Sequence, residues 1–493
     1  SARIRSGESS SPYVVGPSAR SPPHSEVSSG KSPIIAPEVG LSTKFTDADR
    51  WPGVARGAYS VHVLGCKVSQ VEAEVLARAL EQSGLVRARP GEPADVLVLH
   101  ACTVTGRADR DALRLLRRLR RENPSARIAV TGCLAERDPD ALARRPEVDV
   151  VAGHRAAAEL PRHLAEAAAG LLPGKIPVTA VAPDDVLLSP EASGGPGRTR
   201  VFLKIQDGCS RRCAFCIVPA LRGRERSAPA GAVEEAVHAL GEAGVPEVVL
   251  CGVHLAAFGS DRAESLAGLL AALEARPPRC RVRLSSLEPM EAGEELVDAV
   301  ASGRVVAPHL HLPLQSGSDA VLRRMRRGMT SARFRALVER AARANPRIHL
   351  ATDVIVGFPD ETEAEAAETE ALLRDLPLAS LHVFPFSPRS GTAAAGLAAA
   401  SAVPRAVVTR RAGRLRLLDA ELRLRFARSH DGRGADVVAL RGGVGLTETY
   451  VEAALPLDGP PPGARFRAFL SVRVDGSLEA RPETGSPAKL RGS

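Results

Sequence analysis

The chain has 493 residues, several times one typical domain; 44% are hydrophobic and 25% charged, enough apolar surface for two to four soluble domains. No apolar run reaches the roughly 20 residues that span a bilayer, and the N-terminus has no signal-peptide core, so neither a membrane protein nor a secreted one is expected. The net charge of +9, mostly arginine on its basic side, permits a nucleic-acid partner, whereas 3% aromatic content argues against a platform stacking many bases, and eight cysteines are too sparse for a disulfide scaffold.

Residues 1–57 are rich in Ser, Pro and Gly without a sustained hydrophobic period and read as a disordered leader. From Tyr59 short β-rich runs, YSVHVL (59–64), DVLVLH (95–100), RIAVT (127–131) and VDVVA (148–152), alternate with the helical stretches VEAEVLARALEQSG, ADRDALRLLRRLRREN and ERDPDALARR. That alternation predicts a doubly wound parallel sheet over 58–171. A Pro/Gly-rich linker is expected over 172–198. A second series over 199–427 carries six strand candidates, RVFLKIQ, EVVLCGV, RVRLSS, PHLHLPL, HLATDVIVG and SLHVFPF, with helices between them, as in an open, partial (β/α)6 barrel. It ends in a long basic helix over 404–428. Short strands over 428–478, separated by Gly and Pro turns, predict a small β-barrel, and 479–493 reads as a disordered tail. The fold class is α/β throughout, apart from that last barrel.

Cys209, Cys213 and Cys216 lie in IQDGCSRRCAFCIVP, a C-x3-C-x2-C run directly after the first strand of the second series. Three thiolates so close can ligate three corners of one [4Fe–4S] cluster and leave the fourth iron open to a ligand that is not protein. Zinc, the alternative, wants a closed tetrahedral set, and no fourth local Cys or His completes one. Cys66, Cys102 and Cys133 each follow a strand of the first series. In a parallel sheet those ends share one edge, where ligands bind, so the three thiols can converge on a second three-thiolate cluster. The alternative for each is a small core hydrophobe. Cys251, inside an apolar strand, and Cys280, just before another, read as core.

The C-x3-C-x2-C run after a first barrel strand resembles the radical S-adenosylmethionine (SAM) enzymes. GCKVSQVEAE, ACTVTGRAD and VTGCLAE before it, and LSSLEP, HLHLPLQSGSD, RRMRRGMT, TDVIVGFPDETE and HVFPFSPRSGT after it, resemble the methylthiotransferase subgroup over about 58–475. Within it the similarity leans to the bacterial tRNA enzymes acting on N6-threonylcarbamoyladenosine. The resemblance implies an N-terminal domain holding an auxiliary cluster, a radical SAM core and an RNA-binding TRAM-like domain. It implies two [4Fe–4S] clusters, one on Cys209, Cys213 and Cys216 with SAM on its open iron, the other on Cys66, Cys102 and Cys133. A 5′-deoxyadenosyl radical would remove hydrogen from C2 of the modified adenine beside the anticodon, the auxiliary cluster would carry sulfur, and a second SAM would methylate it. It also implies a tRNA partner and a flavodoxin-like or ferredoxin-like electron donor. A monomer in the cytoplasm is expected, since thiols that ligate iron must stay reduced. Two positions depart from the family's usual pattern: Ser69 stands where Asn is usual, and His100-Ala101 where Asn-Thr is usual. Both read as packing changes beside the auxiliary cluster.

Strand ends at the top of a β/α barrel gather catalytic groups, so Gly252, Ser286, Glu288, Gln315 and Asp353 are candidates to hold SAM, with Phe215 against its adenine. Each could instead be a turn or packing residue. Candidate RNA contacts are the stripe Arg107, Arg110, Arg114, Arg117 or Arg118, and Arg121; the group Arg222, Arg224 and Arg226; the group Arg323, Arg324, Arg326 and Arg327; and the 404–428 helix. Solvated faces are the alternative. Tyr450, Phe466 and Phe469 read as core, which leaves RNA contact in the last domain to charge and shape. Two other functions fit the same residues: methylthiolation of isopentenyl-adenosine in tRNA or of a ribosomal protein, and a non-catalytic, metal-stabilised RNA-binding protein.

Overall fold

A computed structural model describes residues 57–89, 91–153, 160–168, 176–178, 191–193, 199–474 and 476–483. The expected leader, apart from Gly57, lies outside these residues.

Strands β1 (Ala58–Leu64), β2 (Val86–Arg87), β3 (Val96–Ala101), β4 (Arg127–Thr131), β5 (Val150–Ala152) and β6 (Ile176–Val178) form one sheet in the order β2-β1-β3-β4-β5-β6. Every neighbouring pair is parallel. Helices α1 (Lys67–Gln82), α2 (Gly106–Glu122), α3 (Cys133–Arg137), α4 (Pro139–Ala143) and α5 (Leu160–Ala168) cover it. Because side chains alternate along a strand, Val96 and Val98 pack with Leu76, Leu80, Leu160 and Leu164, while Leu97 and Leu99 pack with Ala112, Leu116 and Leu119 on the opposite face. Where one helix is expected over ERDPDALARR there are two. Pro139 excludes the helical conformation from the residue before it, and Asp138 (φ −148°) caps α4 by accepting from Ala141 N at 3.2 Å.

The 172–198 segment is not wholly a linker: β6 extends the first sheet, and β7 (Glu191–Ala192) pairs antiparallel with β8 (Val201–Lys204), the first barrel strand. A short ribbon, β9 (Gln206–Asp207) with β10 (Arg226–Ser227), brackets the three-thiol loop and α6 (Val218–Arg222). After it α7 (Ala230–Glu242), α8 (Leu266–Ala275), α9 (Glu294–Ser302), α10 (Asp319–Arg324), α11 (Ser331–Ala344), α12 (Glu363–Asp375) and α13 (Ala393–Ser401) alternate with β11 (Glu247–Cys251), β12 (Arg281–Leu284), β13 (His309–His311), β14 (His349–Val356) and β15 (Ser380–Pro385). The parallel runs β8-β11-β12 and β13-β14-β15 meet where Val282 pairs with Val306, giving an arc of six strands. Among the described residues no ladder joins β15 back to β8, so the barrel is open. Helix α14 (Arg405–Arg428) lays Ala412, Leu415, Leu418 and Leu422 on its core.

A closed five-stranded barrel follows: β16 (Gly434–Ala439), β17 (Val444–Thr447), β18 (Glu452–Ala454), β19 (Arg465–Val472) and β20 (Leu478–Pro482), in the order β16-β17-β18-β20-β19. Strand β20 runs into the expected tail because Leu478 and Ala480 are needed to fill this barrel's core. The small barrel sits at the amino ends of the β11–β14 strands. Arg281 donates to Asp436 O and Leu446 O, Arg283 donates to Thr447 O and Glu448 O, and Tyr450 stacks on His309. No helix among the described residues is long and apolar enough to cross a membrane.

Candidate active site

Three thiols of the N-terminal domain follow three neighbouring strands. Register aligns Leu64 with Ala101 and His100 with Thr131, so Cys66, Cys102 and Cys133 leave β1, β3 and β4 on one edge. That edge flanks the point between β1 and β3 where the strand order reverses, the place where doubly wound sheets bind ligands. Cys66 is the N-cap of α1, whose first amides favour negative charge there. Burial, with a further push from the Cys66 thiol, raises the Cys102 thiol to about 12. Burial also raises Cys133, with the Arg222 guanidinium opposing it. Ser69 Oγ lies 3.7 Å from Cys66 Sγ. His100 is buried against the Gly132 backbone, with Nε2 3.3 Å from Glu72, so it packs beside the thiols.

The second set is one loop. Gly208 turns the chain out of β9 with φ +75°, and a Cβ there would stand 1.8 Å from Arg224 O. Cys209 N then donates to Gly223 O (2.9 Å), closing the loop's base, and Cys216 N donates to Cys213 O (3.1 Å). Arg327 Nη1 lies 3.9 Å from Cys213 Sγ and His254 Nδ1 lies 3.7 Å from Cys209 Sγ. Burial of His254 favours its neutral form, but hydrogen bonds with Cys209 and Glu291 outweigh it and raise the imidazole to about 10. Burial, with the Cys213 and Cys209 thiols adding, pushes Cys216 up to about 12. Two groups of three thiols, buried or half-buried except for the exposed Cys66, with a hydrogen-bond donor beside each group, fit three-thiolate iron–sulfur sites. Cys280 lies in the barrel core at 2% exposure, and Cys251, at 1%, packs with Val68 and Val71 of α1, near Cys66.

Strand ends bring further polar groups above the thiol loop. Arg327 Nη1 donates to Glu288 Oε2 (2.6 Å), and Glu288 Oε1 is buried without a partner among the described residues, an open acceptor near Cys213. Ser286 Oγ is 2.6 Å from His311 Nδ1, His311 Nε2 is 2.7 Å from Asp353 Oδ1, and His382 Nδ1 is 3.0 Å from the same oxygen. Burial opposes ionisation of Asp353, yet the His311 and His382 rings outweigh it and hold its carboxyl well below the usual range. Gln315 holds φ +79° in a bridge to Val354, next to Asp353. Gly252 is needed for close packing, since a Cβ would stand 2.8 Å from Gln206 Oε1. Phe215 packs toward Ala214, Val321, Met325 and Phe358.

Residues 58–153 match an uncharacterized protein family, UPF0004, and residues 203–373 match the radical SAM superfamily. The threonylcarbamoyladenosine tRNA methylthiotransferase MtaB of Bacillus subtilis is 34% identical over 76% of this chain and 83% of its own length. That of Thermotoga maritima is 33% identical over 84% of this chain and 93% of its own. This chain belongs to the radical SAM tRNA methylthiotransferases. Family members named for a different nucleoside stand equally near: the tRNA-2-methylthio-N(6)-dimethylallyladenosine synthase of Parafrankia is 38% identical over 78% of both chains.

Within this methylthiotransferase the arginines divide. Arg107, Arg110, Arg114, Arg117, Arg118 and Arg121 are exposed along α2, and Arg224 is exposed beyond the thiol loop. Arg226 is half-buried, 3.7 Å from Asp207. Arg222 is corrected: at 3% exposure, with Glu72 and Asp207 on its guanidinium, it has no face for a phosphate. Arg324 and Arg327 are likewise taken by Glu365 and Glu288, and Arg411 of the basic helix by Glu361 and Glu363. Phe469 is also corrected. Alternation along β19 buries Phe466, Ala468 and Leu470 and leaves Phe469 56% exposed, opposite Arg481 and flanked by Arg467. Sequence reasoning missed His311, His382, His254 and Glu72. The alternation of HLHLPL, which puts His309 and His311 on one side of a strand, was the available signal for His311; for Glu72 there was none.

The N-terminal domain and the barrel share a polar interface. Glu72 of α1 accepts from Arg222 Nη1 (2.7 Å) and Lys204 Nζ (2.9 Å). Burial opposes ionisation of Glu72, but Arg222 and Lys204 outweigh it and hold the carboxyl well below the usual range. Beyond β15, Arg389 Nη1 donates to Asp109 (2.7 Å), and Ser387 Oγ accepts from Gly106 N (2.9 Å) at the start of α2.

Proposed function

We propose that this methylthiotransferase modifies C2 of N6-threonylcarbamoyladenosine beside the anticodon of tRNA. One [4Fe–4S] cluster would rest on Cys209, Cys213 and Cys216 and a second on Cys66, Cys102 and Cys133. When bound, the first cluster with SAM supplies a radical able to take hydrogen from an unactivated aromatic carbon, and the second supplies sulfur. The chain's own groups position and shield. Glu288, with its open oxygen, and the Ser286–His311–Asp353–His382 series, which runs from the end of β12 across β13, β14 and β15, present fixed donors and acceptors where SAM and the base would lie. Arg327 and His254 place hydrogen-bond donors beside the loop thiols. Arg114, Arg118 and their neighbours on α2, with Arg224 and Arg226, would meet the RNA backbone. An external one-electron donor and a reducing, cytoplasmic setting go with this reading.

The observation that carries it is the pair of three-thiol sets, one at the first barrel strand and one at the reversal point of the N-terminal sheet. The choice of nucleoside is supported by the GCK and ACTVT segments that open the first two thiol loops. The similarity to dimethylallyladenosine enzymes favours a second reading, the isopentenyl nucleoside. Mass spectrometry of tRNA nucleosides from a strain lacking the gene decides. The methylthio form of threonylcarbamoyladenosine is expected to vanish; its persistence with loss of the isopentenyl form selects the second reading.

A further inference from the structure

Arg222 ends the helix that follows Cys216, and its whole side chain is buried. Nη1 donates to Glu72 Oε1 (2.7 Å) and Asp207 Oδ1 (3.0 Å), and Nη2 donates to Glu72 Oε2 (2.9 Å). Nε, on the third side of the guanidinium, lies 3.4 Å from Cys133 Sγ. Lys204 Nζ reaches both Glu72 (2.9 Å) and Asp207 (3.0 Å), so two cations and two carboxylates close a buried, electrically neutral square. Its corners belong to both thiol sets: Glu72 rides on the helix that Cys66 caps, and Asp207 stands two residues before Cys209.

An ion pair that only glued the domains together would be complete with the two carboxylates. The third side of this guanidinium faces a thiol instead. Hydrogen bonds to the sulfurs of an iron–sulfur cluster, and the net charge around it, set its reduction potential. A cationic donor on a ligand sulfur favours the reduced, more negative cluster. We propose that Arg222 is a positioning residue for the auxiliary cluster: its Nε–H on Cys133 raises that cluster's reduction potential, and its grip on Asp207 fixes the two thiol sets in one relation. This rests on the placement of a cluster at Cys66, Cys102 and Cys133.

The test uses the full chain carrying Cys209→Ala, Cys213→Ala and Cys216→Ala, reconstituted anaerobically, so that the N-terminal set is the remaining seat. Iron and sulfide are counted first. No cluster there overturns the placement itself, and the proposal with it. If a cluster forms, pulsed EPR of its reduced state in protein labelled with [15N]arginine is expected to show a 15N coupling, with Arg222 unaltered. Its absence overturns the proposal alone. Arg222→Lys keeps the charge and loses Nε, and Arg222→Gln loses both. The midpoint potential is expected to fall from the parent to Arg222→Lys and further to Arg222→Gln, while the potential of the other cluster, read in the six-cysteine protein, stays. Equal potentials in the parent and Arg222→Lys overturn the proposal and leave Arg222 as an interface ion pair.

Discussion

Glu247→Gln is expected to loosen the small C-terminal barrel from the enzyme core. Glu247 opens β11 and has no exposed surface. Its Oε1 accepts from Arg200 Nε (2.7 Å) and Arg283 Nε (3.1 Å); its Oε2 accepts from Arg281 Nε (2.6 Å) and Arg283 Nη2 (2.9 Å). Burial opposes ionisation, but Arg283, Arg281 and Arg200 outweigh it, so the carboxylate is firmly charged. Glutamine turns one acceptor into an NH2 group facing arginine donors, so two of these bonds are lost. At about 1.5–3 kcal/mol for each charge-assisted bond, the cost is about 3–6 kcal/mol. That agrees with about 3–5 kcal/mol for removing one partner of a buried pair. Two of the stranded cations, Arg281 and Arg283, are those that donate to backbone carbonyls of the small barrel. The loss should therefore appear there first. Urea melts would give the stability change, and amide hydrogen exchange over 434–482 would locate it. A change below about 1 kcal/mol, with unaltered exchange in that barrel, would refute the buried-charge reasoning.

Three further outcomes are expected. Cys213→Ala should abolish reductive cleavage of SAM, while Cys102→Ala should spare cleavage and stop methylthiolation; 5′-deoxyadenosine and methylthio nucleoside are quantified together, and loss of cleavage in Cys102→Ala goes against the assigned roles. Gly208→Ala, which costs about 1–2 kcal/mol for its left-handed φ alone and meets a carbonyl oxygen, should cut iron bound at the loop without touching the N-terminal set. Full iron occupancy in that variant would show that the turn tolerates a side chain. Phe469→Ala should weaken tRNA binding by about 1–3 kcal/mol, roughly fivefold or more in Kd, with no loss of stability because the ring is exposed. An unchanged Kd in filter binding would mean that no base stacks there.

The order of domains was legible because period-two and helical patterns alternate so regularly; Cys66, Cys102 and Cys133 stood out because each follows a strand, and Cys209, Cys213 and Cys216 by their spacing in one loop. What stayed hidden depends on partners distant in sequence. Nothing in LRGRERS separates Arg222, buried against Glu72 from another domain, from Arg224, which is exposed two residues later. Strands β6 and β7 hid in a Pro/Gly-rich segment because so short a strand is defined by its neighbour rather than by its own residues. Phe469 was misjudged because an aromatic in a small barrel is usually core, and only its register opposite Arg481 shows which way it points. The series from Ser286 to His382 spans four strands and exists only once the arc has formed.

The square around Arg222 also bears on how the molecule is made. Residues 58–178, with the thiols Cys66, Cys102 and Cys133, leave the ribosome before the barrel and supply every strand of the first sheet. The donor to Cys133 and the cations that balance Glu72 arrive only with residues 204–222. Until then Glu72 has His100 of its own domain beside it but neither cation, and the thiol edge is uncovered. If the proposed cluster sits on these thiols, iron delivered at that stage would meet an unfinished seat, and its completion would wait on docking of the segment that carries Lys204 and Arg222.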